Sequence, residues 1–278
     1  MKIFYRAEQS ANIRSFSPSA MKPKHLMDRW AKEFPNVPVF DFDPVTKGDF
    51  CMVHRPAYVR DIMNCTIQNG FFNRDPAVAK SLPYTSGSMV AAALYAYNTK
   101  ENACSPTSGF HHAHWEEAHG FCTFNGLMLA AVKVLQAGAK KVAIIDCDVH
   151  YGDGTQDIID RLNLGNDIDH WTLGALPAAL QPEFQTVFLK HLNRLDADVV
   201  LYQAGADAHE KDPLGGWMST ELMRWRDRAL FTVMAAKRIP VCWTLAGGYQ
   251  QPLRKVLELH STTMKEALRV ERLQAVEV

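Results

Sequence analysis

The chain has 278 residues, enough for one large α/β domain or two small ones. It is 47% hydrophobic and 22% charged, which suits a globular protein with a large core and excludes a disordered one. Thirty basic residues balance thirty acidic ones, so net charge gives no pull toward nucleic acid or an anionic membrane.

Apolar β-type runs predict strands over residues 3–6, 37–42, 142–146, 168–173, 199–203 and 241–245. Helical patterns are read over residues 24–34, 56–64, 86–97, 126–136, 153–161, 182–195, 220–237 and 253–267. Short apolar strands alternating with helices imply βαβ units and a mostly parallel sheet covered on both faces. Residues 70–109 read as less regular overall, with loops running over one edge of that sheet. No repeat, low-complexity segment or linker divides the chain, so residues 1–278 are expected to form a single domain. The start, Met1-Lys2-Ile3-Phe4-Tyr5-Arg6, is apolar too briefly for a signal peptide and reads as the first strand. No stretch approaches the ~18 apolar residues of a membrane span. The six cysteines (51, 65, 104, 122, 147 and 242) form no C-x-x-C pair and read as reduced thiols in a cytoplasmic protein.

Polar motifs cluster after the strands. Asp146 ends the run Val142-Ala143-Ile144-Ile145, with Asp148, His150 and Gly152-Asp153-Gly154 just beyond. Gly205-Ala206-Asp207 follow the strand at 199–203, and Gly247-Gly248-Tyr249 follow that at 241–245. Ligands of open α/β sheets bind beyond the carboxyl ends of strands, so three strands deliver polar groups to one edge. Asp148 and His150 lie two residues apart, which in extended chain aims both the same way. With Asp207 they make two carboxylates and one imidazole, a set that leaves a position open for water, as in catalytic zinc sites. The same donors suit manganese or ferrous iron. A plainer reading makes Asp148 and His150 caps for the helix beginning near Asp153.

His111 and His112 are adjacent between Gly109-Phe110 and Ala113, a setting for a buried loop that aims two proton carriers into one pocket. Asp146 and Asp153 are candidates to fix their tautomers. His114 and His119 are expected to be peripheral. Tyr249 can swing a phenol over the site as an oxyanion donor, and Phe121 can line an apolar channel or simply fill the core. Asp212 reads as a turn-capping residue rather than a ligand.

Taken together, these motifs resemble the zinc-dependent histone deacetylase superfamily, which includes bacterial acetylpolyamine amidohydrolases. The resemblance runs from about Pro83 to Tyr249, and Asp212-Pro213-Leu214-Gly215 looks closer to the class II and bacterial branches than to class I. It implies an arginase–deacetylase α/β fold with an eight-stranded parallel sheet. It implies Zn2+ on Asp148, His150 and Asp207, and a K+ near Asp146, Asp148 and His150. By the same resemblance His112 is the general base and acid, His111 its electrostatic partner, and Gly120 offers a carbonyl to the substrate. Activity is then hydrolysis of an acetylated lysine or acetylated small amine. Two rivals are a dimanganese arginase- or agmatinase-like enzyme using Asp146 and Asp153, and a non-catalytic acyl-amine binder. The segment 168–183 is short for this family and offers only Trp171 and, just beyond, Phe184 to face Phe121, so the tunnel is expected to be wider or walled from elsewhere. No acidic rim residue of the kind that holds a peptide backbone is evident.

Overall fold

A computed structural model describes residues 1–276. Seven strands form one sheet: β1 (Lys2–Phe4), β2 (Val39–Phe40), β3 (Ala103–Ser105), β4 (Val142–Asp146), β5 (Ile168–Thr172), β6 (Val199–Gln203) and β7 (Val241–Thr244). Their order is β2-β1-β3-β7-β6-β4-β5, and every pairing is parallel. The expected eighth strand is not found among the described residues. Beyond the β5 edge the chain turns into 3₁₀ helices at Leu173–Ala175 and Ala178–Glu183. Pro177 and Pro182 in that stretch have no N–H to offer a ladder.

The helices are α1 (Lys22–Glu33), α2 (Lys47–Phe50), α3 (Pro56–Met63), α4 (Pro76–Thr99), α5 (Gly126–Gln136), α6 (Asp153–Arg161), α7 (Phe184–Arg194), α8 (Thr220–Lys237) and α9 (Arg254–Val276). Residues 70–109 do not form the loops expected of them. They hold α4, which is 24 residues long and extends well ahead of the predicted 86–97, and then the unpredicted β3. Asp75 caps α4 by accepting the Ala77 N–H at 2.8 Å, and Pro76 occupies the first turn, where no N–H is needed.

Strand alternation splits the core in two. Val142, Ile144, Val199 and Leu201 pack on one face with Met89 of α4 and Leu127 and Ala131 of α5. Ala143, Ile145, Val200 and Tyr202 point the other way, onto Trp30, Phe188, Leu230 and Met264 of α1, α7, α8 and α9. With both faces covered, the motif residues that follow the strands are left to gather at the sheet's carboxyl edge. Among the described residues no helix is long and apolar enough to cross a membrane.

Candidate active site

The ends of β4, β6 and β7 meet the 106–125 loop, and this junction gathers the predicted site residues. Asp148, His150 and Asp207 present ligand atoms within 4.8 Å of one another. His150 Nδ1 lies 2.9 Å from Asp148 Oδ1 and 3.1 Å from Asp207 Oδ2. The N–H of Gly247 donates to Asp148 Oδ2 at 2.8 Å. A Cβ at Gly247 would collide with Asp207 Oδ2 and come within 2.7 Å of Asp148 Oδ2, so the glycine lets β7's loop pass over the two carboxylates. Asp148 and His150 do not cap α6, whose N-cap is Gly152 with no side-chain cap.

Two buried carboxylates side by side repel unless something offsets their charge. Burial, then the adjacent Asp148, pushes Asp207 well above the usual carboxylate range. Burial alone would raise Asp148 too, but the charge on His111 and the hydrogen bond from His150 outweigh it and hold Asp148 well below that range. Without a cation the pair must share a proton. A small divalent ion is the natural neutraliser, and this Asp2His donor set fits zinc with an open coordination position.

The two histidines stand beside this cluster, ring centroids 4.0 Å apart. His111 Nδ1 lies 2.8 Å from Asp146 Oδ2, and His112 Nδ1 lies 2.6 Å from Asp153 Oδ1. Burial would depress His111, but Asp146 and Asp148 overcome it and hold the imidazole at about 9. Burial, and then the charge on His111, push His112 down. The neighbours are thus driven apart, one cationic and one neutral near pH 7. Asp146 Oδ1 accepts from the Asp148 N–H at 3.0 Å and from Gln203 Nε2 at 2.9 Å, which locks this carboxylate in place.

Tyr249 is almost wholly buried, and burial raises its phenol far enough to stay protonated. Its N–H donates to Asp212 Oδ2 at 2.8 Å, while Asp212 Oδ1 accepts from the Leu214 N–H, so Asp212 ties the turn to the tyrosine. Phe121 adopts a left-handed backbone conformation, φ 63°, and its ring lies 5.8 Å from Tyr249. The preceding Gly120, φ 52°, has His112 where a side chain would go.

The second aromatic wall comes neither from Trp171 nor from Phe184. Trp171 packs on Phe188 and His191, and Phe184 on Phe188, Trp217 and Trp225, away from Phe121. Phe16 instead stacks on Tyr249 at 6.0 Å, and Phe71 and Phe72 lie 6.0 and 6.2 Å from Phe121. His114 and His119 are not peripheral either. His114 Nε2 lies 3.5 Å from Asp153 Oδ2, and His119 reaches the His112–Asp153 pair.

Three supporting residues carried no sequence signal. Buried Lys22 donates to the Ala246 carbonyl at 2.7 Å, and burial pulls its amine down to about 8 against the pull of Asp207 and Asp148. Arg226 donates Nη1 to the carbonyls of Cys147 and Gly205, bracing the chain just before Asp148 and Asp207. His54 accepts the Asn125 N–H at 2.8 Å and donates to the His114 carbonyl at 2.9 Å, clamping both ends of the histidine loop.

A parallel α/β sheet whose carboxyl edge gathers two carboxylate-backed histidines beside an Asp2His cluster defines a metal-hydrolase type of site. The histidine loop, both carboxylates and most of the sheet fall within the profile of the histone deacetylase domain, which matches residues 17–164 and 170–264, so the chain belongs to that family. An uncharacterized protein of Picosynechococcus is 28% identical over 243 residues, covering 78% of this chain and 80% of that protein. Histone deacetylase 10, chloroplastic, of Oryza sativa is 28% identical and covers 75% of this chain. Acetylpolyamine amidohydrolase of Mycoplana ramosa is 27% identical over 54% of this chain. The matches span 56% and 51% of these last two proteins, about half their length. Among solved structures, the HDA15 HD domain superposes with a TM-score of 0.77 at 22% identity, covering 96% of this chain and 91% of that one. An acetylpolyamine aminohydrolase from Burkholderia pseudomallei gives 0.75 at 18% identity, covering 97% and 99%. These two share the fold.

Proposed function

We propose that the protein is a metal-dependent deacetylase that hydrolyses an N-acetyl or other short acyl amide of a lysine side chain or another primary amine. The observation that carries this reading is the pair of carboxylate-backed histidines, His111–Asp146 and His112–Asp153, beside the Asp148, His150 and Asp207 donors. A divalent ion held by those three donors, which we take to be zinc, supplies the positive charge that polarises an acyl carbonyl and lowers the pKa of water.

The chain's own residues do the rest. His112, kept neutral and with Nδ1 engaged by Asp153, has its other ring nitrogen free to take a proton from water. Asp153 fixes that tautomer and stabilises the imidazolium that forms. The imidazolium then returns the proton to the leaving nitrogen, which cannot depart as an amide anion. His111, with Nδ1 engaged by Asp146, stands against His112 as its electrostatic partner. Tyr249 donates its O–H to the carbonyl oxygen as negative charge builds there. Gly120 offers its carbonyl to the substrate N–H, and Phe16, Phe72 and Phe121 keep water from the acyl stem. A potassium ion beside Asp146, Asp148 and His150 is part of the same reading. The neighbouring Gln203 Oε1, buried without a protein partner, adds an oxygen to that region. Neither Asp146 nor Asp153 belongs to the Asp148, His150 and Asp207 group, so no carboxylate there is placed to bridge two metals, which disfavours a bridged dimetal arginase-like centre. The six free cysteines favour a reducing, cytoplasmic setting.

The test is a screen of acetylated lysine peptides against acetylated polyamines, with acyl length varied. Turnover by the zinc enzyme, lost in Tyr249→Phe, supports the reading. Binding of a hydroxamate with no turnover of any acyl amine refutes it and favours a binding module.

A further inference from the structure

A second donor set lies next to the first and shares no residue with it. His112, His119 and Asp153 present ligand atoms within 4.8 Å of one another. The His112 and His119 rings stand perpendicular with centroids 5.8 Å apart. Asp153 Oδ1 is taken by His112 and by the Gly154 N–H, while Oδ2 accepts no hydrogen bond among the described residues and has His114 Nε2 at 3.5 Å. One carboxylate is therefore ringed by three imidazoles. The His119 ring has no hydrogen-bond partner among the described residues. Its backbone is nonetheless fixed: the His119 N–H donates to the Cys122 carbonyl at 3.1 Å, and the Cys122 N–H returns a bond to His119 at 2.7 Å. The tight turn through Gly120 and Phe121 thus holds an exposed imidazole against the proton carrier. The Asp153 carboxylate is 40% exposed, so an ion from solvent can reach the set.

Two imidazoles and a carboxylate are hydrolase-type zinc donors. Here they include the imidazole whose lone pair turnover requires. We infer that His112, His119 and Asp153, with His114 at hand, form a second, weaker binding site for zinc or a similar divalent transition-metal ion, and that filling it switches the enzyme off. An ion seated between Asp153 and the ring would take the Nδ1 lone pair, and the proton displaced from Nδ1 would sit on Nε2, the nitrogen that must accept a proton in turnover, so the base is consumed. The inhibition rests on the proposed role of His112; the binding does not.

The experiment counts zinc per chain by equilibrium dialysis across a range of free zinc, alongside turnover of an acetylated amine. Wild type is expected to bind a tight first ion and then a second, with turnover falling as the second enters. His119→Ala is expected to keep the first ion and its basal activity. It should need about 10- to 100-fold more free zinc both for the second ion and for inhibition. His119→Asn, a second exposed variant, should do the same. Identical second-ion binding in wild type and both variants overturns the site. A second ion that binds through His119 yet leaves turnover unchanged overturns the switch. Absence of turnover at one bound zinc is a separate result: it refutes the proposed deacetylase while the zinc counts still judge the site.

Discussion

Asp153 holds His112 by a single short hydrogen bond, Oδ1 to Nδ1 at 2.6 Å, from the first turn of α6. The carboxylate sets the ring tautomer and opposes the downward push that the charge on His111 exerts on His112. Asp153→Asn keeps the shape but cannot accept the Nδ1 proton in the same way. Activity should fall about 10²- to 10⁴-fold with little change in KM, and the pH–rate profile should shift. A variant with an unchanged profile and less than a twofold loss would contradict the role given to Asp153.

Tyr249 is buried and protonated, stacked on Phe16 on one side and tilted against Phe121 on the other. Tyr249→Phe removes only the hydroxyl. The expected loss in kcat is about 10²- to 10³-fold, with metal content unaltered. Steady-state kinetics on zinc-matched samples decides it; a change confined to KM would make Tyr249 a substrate-binding wall only.

Gly247 is a steric requirement of the Asp148–Asp207 pair. Gly247→Ala places a methyl against Asp207 Oδ2 and Asp148 Oδ2. The variant should fold but lose tight zinc, measured as zinc per chain after dialysis against a weak chelator. Full retention of zinc would show that the loop yields more than the packing implies.

Metal removal should also cost stability, because the two carboxylates are buried together. At free zinc about 100-fold above its dissociation constant, the native state gains about 2.7 kcal/mol over the apo protein. Calorimetry should show a higher Tm with zinc, and the gain should vanish in Asp207→Asn. An equal gain in that variant would place the stabilising ion elsewhere.

His54 gives the fold an acid limit. Burial holds its imidazole down at about 4, and both ring nitrogens are used as in the neutral form. The unfolded chain takes up this proton near ~6.5. Between those values the unfolded state binds more protons, so stability falls as pH drops through the window, by roughly 3 kcal/mol at its lower end. Urea unfolding at pH 7 and pH 5 should show a steeper loss in wild type than in His54→Gln. Equal slopes would remove His54 from the acid response.

The site was legible because its residues follow apolar strands in short motifs. Asp146, Asp148 and His150 are contiguous with β4, and Gly247 to Tyr249 with β7. What was hidden has a physical cause. The helix α4 carries Pro83 and Gly87, both poor helix formers, and Gly87 sits where Phe42 and Asp43 press close. The strand β3 is only Ala103-Cys104-Ser105, with no β-branched residue, yet lies in mid-sheet. Lys22, Arg226 and Phe16 reach the site only through tertiary packing, for which a single sequence carries no local pattern. Nothing local in the sequence marks the approach of His119 to Asp153; the turn through Gly120 and Phe121 brings the two together.

The most direct trial of the account compares zinc-loaded wild type with zinc-loaded His112→Ala on an acetyl-lysine peptide and an acetylated polyamine, at equal metal content. Turnover by wild type and a drop of about 10²- to 10⁴-fold in the variant is the result predicted for a proton carrier. Equal rates from the two proteins at equal zinc would contradict it.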